Sequence, residues 1–155
     1  MIEFLFNGFI LVIPVLVWNL VFYRTLPLWH QIKIGNNLEK VDSLLRIPIF
    51  GLPLVFRFSV FTDIHQIGWV IYGIGIILYF ASWIITISGN VNKNQSVLTA
   101  LGPAYTPILW LIGIGMACWE SGWRLYLLLL YFLSSIVFVI VHTMHTLEKY
   151  KRRRY

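Results

Sequence analysis

Cysteine is almost absent from this sequence, which contains a single one, Cys118. One thiol excludes an internal disulfide and any metal site built from several cysteines. Because Cys118 lies within an apolar run, we expect a buried, unreactive thiol rather than a nucleophile. A functional site therefore has to be built from other residue types.

Charged residues are also scarce: they make up 12% of the chain, whereas 59% of it is hydrophobic. Soluble domains contain about 25% charged and about 45–50% apolar residues. The composition therefore excludes a soluble globular domain and makes the lipid bilayer the main expected partner. No linker and no soluble module interrupts the chain, so we expect one transmembrane domain over residues 1–155.

Acidic residues are the rarer charged type, six against twelve Lys and Arg, which gives a formal net charge of +6. Most of these cations flank apolar runs, as membrane topology signals do, so we expect no nucleic-acid partner. Five of the cations lie in residues 147–155. That segment is predicted to be a basic cytoplasmic tail.

Long apolar runs predict an all-α integral membrane protein, a helical bundle with four transmembrane helices plus one short proline-bent membrane segment. The four runs cover about residues 4–23, 64–88, 104–119 and 124–146. Pro14 lies inside the first run and predicts a kink there. Residues 46–61 are the shorter, proline-interrupted run, which either crosses the membrane or lies on it.

The distribution of cations favours five crossings over four. With four crossings, six Lys and Arg residues lie on each side of the membrane. If residues 46–61 also cross and the N-terminus is outside, ten cations lie inside, and only Arg57 and Arg124 lie outside. Since cations accumulate on the cytoplasmic side, we expect five crossings and a cytoplasmic C-terminus, in a plasma (inner) membrane.

Histidines are the first candidates for chemistry. His142 and His145 are three residues apart near the cytoplasmic end of the last run, so they lie on similar faces of a helix. In the five-crossing topology His30 is on the same side, and three histidines could converge on a metal or haem. We favour the alternative that both are interfacial histidines that bond to backbone or lipid headgroups. No carboxylate motif accompanies the pair, so we predict no metal and leave the cofactor open.

The last helix and the turn before it contain further polar candidates. Four side chains follow roughly helical spacing along the last run: Tyr131, Ser135, His142 and Thr146. They form either a functional face toward the bundle interior or packing contacts between helices. Glu120 and Arg124 flank the preceding turn, where we expect an ion pair at the water interface.

Tyr105 follows Gly102 and Pro103 at a predicted helix start. Free backbone N–H groups there favour an anionic headgroup or a cofactor phosphate, although an ordinary proline-started helix explains the same residues. The tetrapeptide is similar to the Gly-Pro-x-Tyr start of the small membrane methyltransferases of the isoprenylcysteine and phospholipid type. The Arg-His-Pro continuation and the paired glutamates of that family are absent, so the similarity does not assign the chain to it.

Two classes of function follow from these observations. The first is non-catalytic: a small multi-pass protein that binds a partner in the bilayer or serves as an assembly subunit, with other membrane subunits or a second copy as partner. The second is a lipid-modifying enzyme or cofactor binder that acts at the cytoplasmic interface through His142 and His145. Short loops and few ionisable groups within the spans favour the first class, and whether the protein is an enzyme stays open.

Overall fold

The computed structural model describes residues 7–25, 37–89, 96–120 and 124–152, and these residues are almost entirely helical. The α-helices are α1 (Ile13–Phe22), α2 (Asn37–Gly51), α3 (Asp63–Gly89), α4 (Val97–Ala100), α5 (Gly102–Tyr105), α6 (Pro107–Ala117) and α7 (Arg124–Arg152). Short 3-10 helices cover Gly8–Leu11, Tyr23–Thr25 and Leu52–Leu54. Within the described ranges the only extended pairing is an isolated antiparallel bridge between Asn7 and Arg57.

The two long helices, α3 and α7, are long and apolar enough to cross a membrane by length and composition. Their ends suit the helix dipole, because α3 begins at the acidic Asp63 and α7 ends with the basic Lys149, Lys151 and Arg152. Only 28% of the most apolar window of each helix is buried. Most residues of both windows are therefore at least partly exposed.

Specific contacts show that the chain reverses direction from each long segment to the next, so that every second segment runs the same way. The Tyr72 hydroxyl of α3 donates to the Leu11 carbonyl (2.7 Å), and the Tyr79 hydroxyl donates to Asn19 Oδ1 (2.6 Å), so α1 is parallel to α3. Helix α6 returns antiparallel to α3, with Ala117 next to Gly68 near the start of α3.

Helices α2 and α7 are likewise antiparallel. Asp42, near the start of α2, contacts His142 near the end of α7, and Phe56, which follows α2, packs edge-on against Tyr131 (5.8 Å between ring centroids). The five described segments α1, α2, α3, α6 and α7 thus alternate in direction along the chain. We call the end of the bundle that contains Arg57 the Arg57 end, and the end that contains Asp42 and His142 the Asp42 end.

Glycines bring α3 and α6 into direct backbone contact. A Cβ atom added at Gly68 or Gly75 of α3, or at Gly113 of α6, would lie 2.4 Å from a backbone nitrogen of the other helix. Only hydrogen fits in such a space, so these glycines determine how closely the two helices pack.

The prediction of an all-helical protein is confirmed for the described residues. Length and composition identify two membrane-spanning candidates rather than four, and the shorter apolar stretches are Gly8–Phe22 and Gly102–Ala117. The number of crossings therefore stays a prediction.

The prolines in the described ranges lie at helix starts or in the shorter helices, and none of them lies inside α3 or α7. Pro14 is the second residue of α1 rather than an interior one, and Val12 separates the first 3-10 helix from α1. Pro48 lies inside α2, which begins at Asn37 and so starts earlier than the run predicted at residues 46–61.

Candidate functional site

The contact between α2 and α7 places a carboxylate between charged and titratable side chains at the Asp42 end. Asp42 is 2% exposed, and its Oδ1 lies 2.8 Å from His142 Nδ1 across the helix contact. Its Oδ2 accepts a hydrogen bond from Arg46 Nη2 (2.8 Å), one helical turn further along α2. The buried carboxylate therefore links a cation of its own helix to an imidazole of α7.

The Asp42 carboxyl is held in its ionised form by these partners. Burial alone raises the pKa of a carboxyl group, but the hydrogen bond and charge of His142, together with Arg46, outweigh burial and lower the pKa of Asp42 to about 2. An ionised carboxylate only accepts hydrogen bonds, so Nδ1 of His142 must donate to it. This assigns the tautomer of neutral His142 and leaves its Nε2 as an acceptor.

The ring of His142 is fixed in orientation. It stacks on Phe138, with ring centroids 5.1 Å apart and planes at 12°. The side chain is 24% exposed, so the imidazole is held by two contacts but still reaches the surface. Chemically, such an imidazole can take up a proton or bind a polar group at Nε2.

His145 belongs to the same cluster but is bonded differently. It is 5% exposed, its Nδ1 lies 3.8 Å from Asp42 Oδ2, and its Nε2 has no hydrogen-bond partner in the described part of the chain. Glu39 of α2 and Lys149 of α7 also act electrostatically on this group of residues. We call the six side chains that meet here the Asp42 cluster: Glu39, Asp42, Arg46, His142, His145 and Lys149.

A buried histidine at the opposite end provides a contrast. His65 of α3 is 8% exposed, and both its ring nitrogens have partners: Nδ1 contacts the Thr62 hydroxyl and Nε2 contacts the Trp119 carbonyl (2.9 Å). His65 is therefore fully hydrogen-bonded, whereas His145 is not.

The predicted polar face of the last helix is largely buried. Ser135 donates to the Tyr131 carbonyl and Thr146 donates to the His142 carbonyl, both at 2.8 Å and both within α7. Tyr131 is fully buried, and its hydroxyl has no partner among the described residues. The Ser135 and Thr146 hydroxyls thus bond to their own helix, whereas His142 makes a hydrogen bond to another helix, at Asp42 of α2.

The other candidates from the sequence make their hydrogen bonds outside the Asp42 cluster. Tyr105 lies in the four-residue helix α5, and its hydroxyl donates to the Leu98 carbonyl at 3.4 Å. At the start of α7, Arg124 Nη1 donates to both carboxylate oxygens of Glu120, at 2.7 and 3.0 Å.

His30 lies outside the described residues, so its convergence with His142 and His145 stays a prediction. Within the described ranges, no group of three or more His, Cys, Asp or Glu side chains is arranged to hold a metal ion.

Sequence reasoning did not identify Asp42 or Arg46 as site residues, since Asp42 is 100 positions from His142. One signal pointed to them. The five-crossing topology puts the polar segment before residue 46 on the same side as the histidine pair, and Asp42 is the carboxylate in that segment closest to the predicted span.

Comparison with known proteins adds no family assignment: no protein-family model, no curated protein and no solved structure matches this chain.

Proposed function

We propose that this chain is a multi-pass membrane protein whose five antiparallel segments cross a plasma (inner) membrane, with the Asp42 end in the cytoplasm. The low burial of α3 and α7 supports this, because large apolar side chains on them face outward where a soluble protein would place polar ones. Outward side chains of α3 that are more than half exposed include Ile67, Val70, Ile74, Ile77, Ile84 and Ile85.

Within the bilayer we propose a non-catalytic role, in which the protein binds a membrane partner or serves as an assembly subunit. The outward apolar faces of α3 and α7 carry this proposal, because the described fold leaves many of their large apolar side chains exposed. Many polar side chains, in contrast, pair internally: Asp42 uses both oxygens, and Glu120 pairs with Arg124.

The topology is tested by sidedness. In a Cys118→Ser background, single cysteines replace Lys40 and Lys151 at the Asp42 end and Phe61, which is 90% exposed, at the Arg57 end. A membrane-impermeant thiol reagent on intact cells should label only the Phe61 position. Labelling of Lys40→Cys from outside would mean that α2 does not cross, and the five-crossing topology would be wrong.

The partner-binding role is tested by photo-crosslinking in native membranes. A photoreactive residue replaces one outward side chain at a time, at Val70 and Ile77 on α3 and at Leu133 and Ile140 on α7. We expect a discrete protein adduct from one helix face, and twice the chain mass would identify a second copy. Adducts with lipid alone at all four positions would contradict the proposal.

A second function is favoured by one observation, the carboxylate that orients His142. An Asp–His pair at the membrane interface is also how a lipid-modifying enzyme or a cofactor binder would hold an imidazole for proton transfer or ligand binding. A metal analysis and an absorbance scan of the purified protein test the cofactor. The double variant His142→Ala, His145→Ala, expressed in the host, tests the enzyme. Loss of the wild-type phenotype without loss of membrane-inserted protein would favour an enzyme over the non-catalytic role.

A further inference from the structure

The attachment of α2 depends on the charge state of the Asp42 cluster. Helix α2 packs mainly against α7, and the groups that face each other there are Glu39, Asp42 and Arg46 from α2 and His142, His145 and Lys149 from α7. In the geometry described above, each oxygen of Asp42 already accepts one hydrogen bond, from Arg46 or from His142. His145 lies beyond hydrogen-bond distance, at 3.8 Å from the same carboxylate.

Protonation of His145 is unfavourable in this arrangement for geometric reasons. The imidazolium carries two N–H donors, and Nε2 is buried where no described residue accepts a hydrogen bond. A buried donor without an acceptor, on a charged ring, destabilises the packing around it. Lys149, one turn further along α7, repels the new charge. Asp42 and Glu39 attract it, but they already interact with the cations Arg46 and Lys149.

We propose that His145 is a proton-sensitive release for α2: when the ring gains a proton, the α2–α7 contact opens at the Asp42 end so that Nε2 reaches water. Neutral His145 fits the closed contact, so the contact is closed above the ordinary range of histidine titration and opens as the pH falls through it. This holds for either proposed function, since it concerns only the contact between the two helices.

Hydrogen exchange read by mass spectrometry tests the release in the full chain, reconstituted in lipid nanodiscs. Protection factors of α2 are compared with those of α3, which serves as the internal reference, between about pH 8 and about pH 5.5, the range in which histidine titrates. For a one-proton opening, the protection of α2 should fall by up to about tenfold per pH unit while that of α3 stays constant. Constant or rising protection of α2 on acidification would overturn the proposal.

Three variants separate the role of His145 from general acid sensitivity. His145→Gln cannot gain a charge and should abolish the fall, whereas His65→Gln, the control at the opposite end, should keep it. If His145→Gln fails to fold, Lys149→Gln serves instead: Lys149 repels the imidazolium most strongly in the closed contact, where water does not screen it, so without Lys149 the fall in α2 protection should become shallower. An unchanged or steeper fall in Lys149→Gln, or an unchanged fall in His145→Gln, would refute the release.

Discussion

At the scale of single residues, the two oxygens of Asp42 serve two different partners. Oδ2 pairs with Arg46 of its own helix and Oδ1 pairs with His142 of α7, both at 2.8 Å. A carboxylate that is 2% exposed pays a desolvation cost, and it is stable there only because both oxygens are bonded. Losing either bond therefore changes the stability of the α2–α7 contact.

We expect Asp42→Asn to lower the free energy of unfolding by about 1–3 kcal/mol, because the amide still accepts from His142 but no longer neutralises Arg46. The half-exposed Arg46 can turn to water, which keeps the loss below that of a fully buried ion pair. Chemical denaturation in detergent measures the change. Glu148→Gln, which removes a surface i,i+4 pair with Arg152, is the control and should cost no more than about 1 kcal/mol.

The low pKa of Asp42 predicts a second, acidic transition. A carboxyl group whose folded pKa is about 2, against an ordinary value of 3.8, stabilises the fold by about 2 kcal/mol above pH 3.8. That contribution is lost as the pH falls through the folded pKa. The difference in unfolding midpoint between wild type and Asp42→Asn should therefore narrow between about pH 5 and about pH 2.5. A difference that stays constant over this range would show that the carboxylate charge contributes nothing.

The sequence predicts the two histidines of this site but not the carboxylate that binds one of them. The spacing of His142 and His145 places them on similar faces of a helix because helical periodicity is local. The carboxylate that binds His142 comes from a helix that is distant along the chain, and neither hydropathy nor charge spacing contains information on which faces of α2 and α7 meet. Burial of Asp42 follows from that tertiary contact and not from its neighbours in sequence.

At the scale of helices, the α3–α6 contact has little tolerance for added volume. Gly75→Ala would place a methyl group 2.4 Å from the Trp110 backbone nitrogen, and a backbone cannot move aside as a flexible side chain can. We expect a loss of about 1–3 kcal/mol in the free energy of unfolding.

Gly73→Ala is the matched control on the same helix, since nothing lies within 4 Å of its added Cβ atom. Alanine there should leave stability unchanged or raise it by up to about 1 kcal/mol through helix propensity. Equal losses from Gly73→Ala and Gly75→Ala in thermal unfolding would show that the close contact does not limit stability.

The presence of a long helix follows from the sequence more reliably than the residues at which a helix begins and ends. Uninterrupted apolar runs predict α3 and α7, because a helix satisfies all its backbone hydrogen bonds internally whatever packs against it. The start of α2 at Asn37 is less predictable. Its amphipathic first turns are stabilised by packing against α7, so a hydropathy window centred on residues 46–61 does not include them.

At the scale of the whole molecule, the outward faces of α3 and α7 allow a test of whether the protein lies in a membrane. Ile77 lies in the middle of α3 and is 68% exposed. In water, Ile77→Lys would be nearly neutral, but in a bilayer a lysine near the centre of a helix costs about 2.5–3.5 kcal/mol for insertion. We therefore expect a clear drop in membrane-inserted protein, measured by fractionation and carbonate extraction.

Phe61→Lys is the control for this test, because Phe61 is 90% exposed but lies at the Arg57 end, where an added cation can reach water. Its yield should match wild type. If Ile77→Lys also inserts at the wild-type level, the outward face of α3 is not in contact with lipid, and the proposed topology loses its main support.

The glycine contacts between α3 and α6 have a consequence for biogenesis. The ribosome completes α3 well before Gly113 is made, so for a time α6 does not yet cover the backbone at Gly68 and Gly75. If α3 enters a membrane as proposed, it presents this bare backbone to lipid and to neighbouring nascent chains during that interval. A translational pause between residues 90 and 106 would prolong this state, and the completed hairpin closes it once Ala117 has emerged.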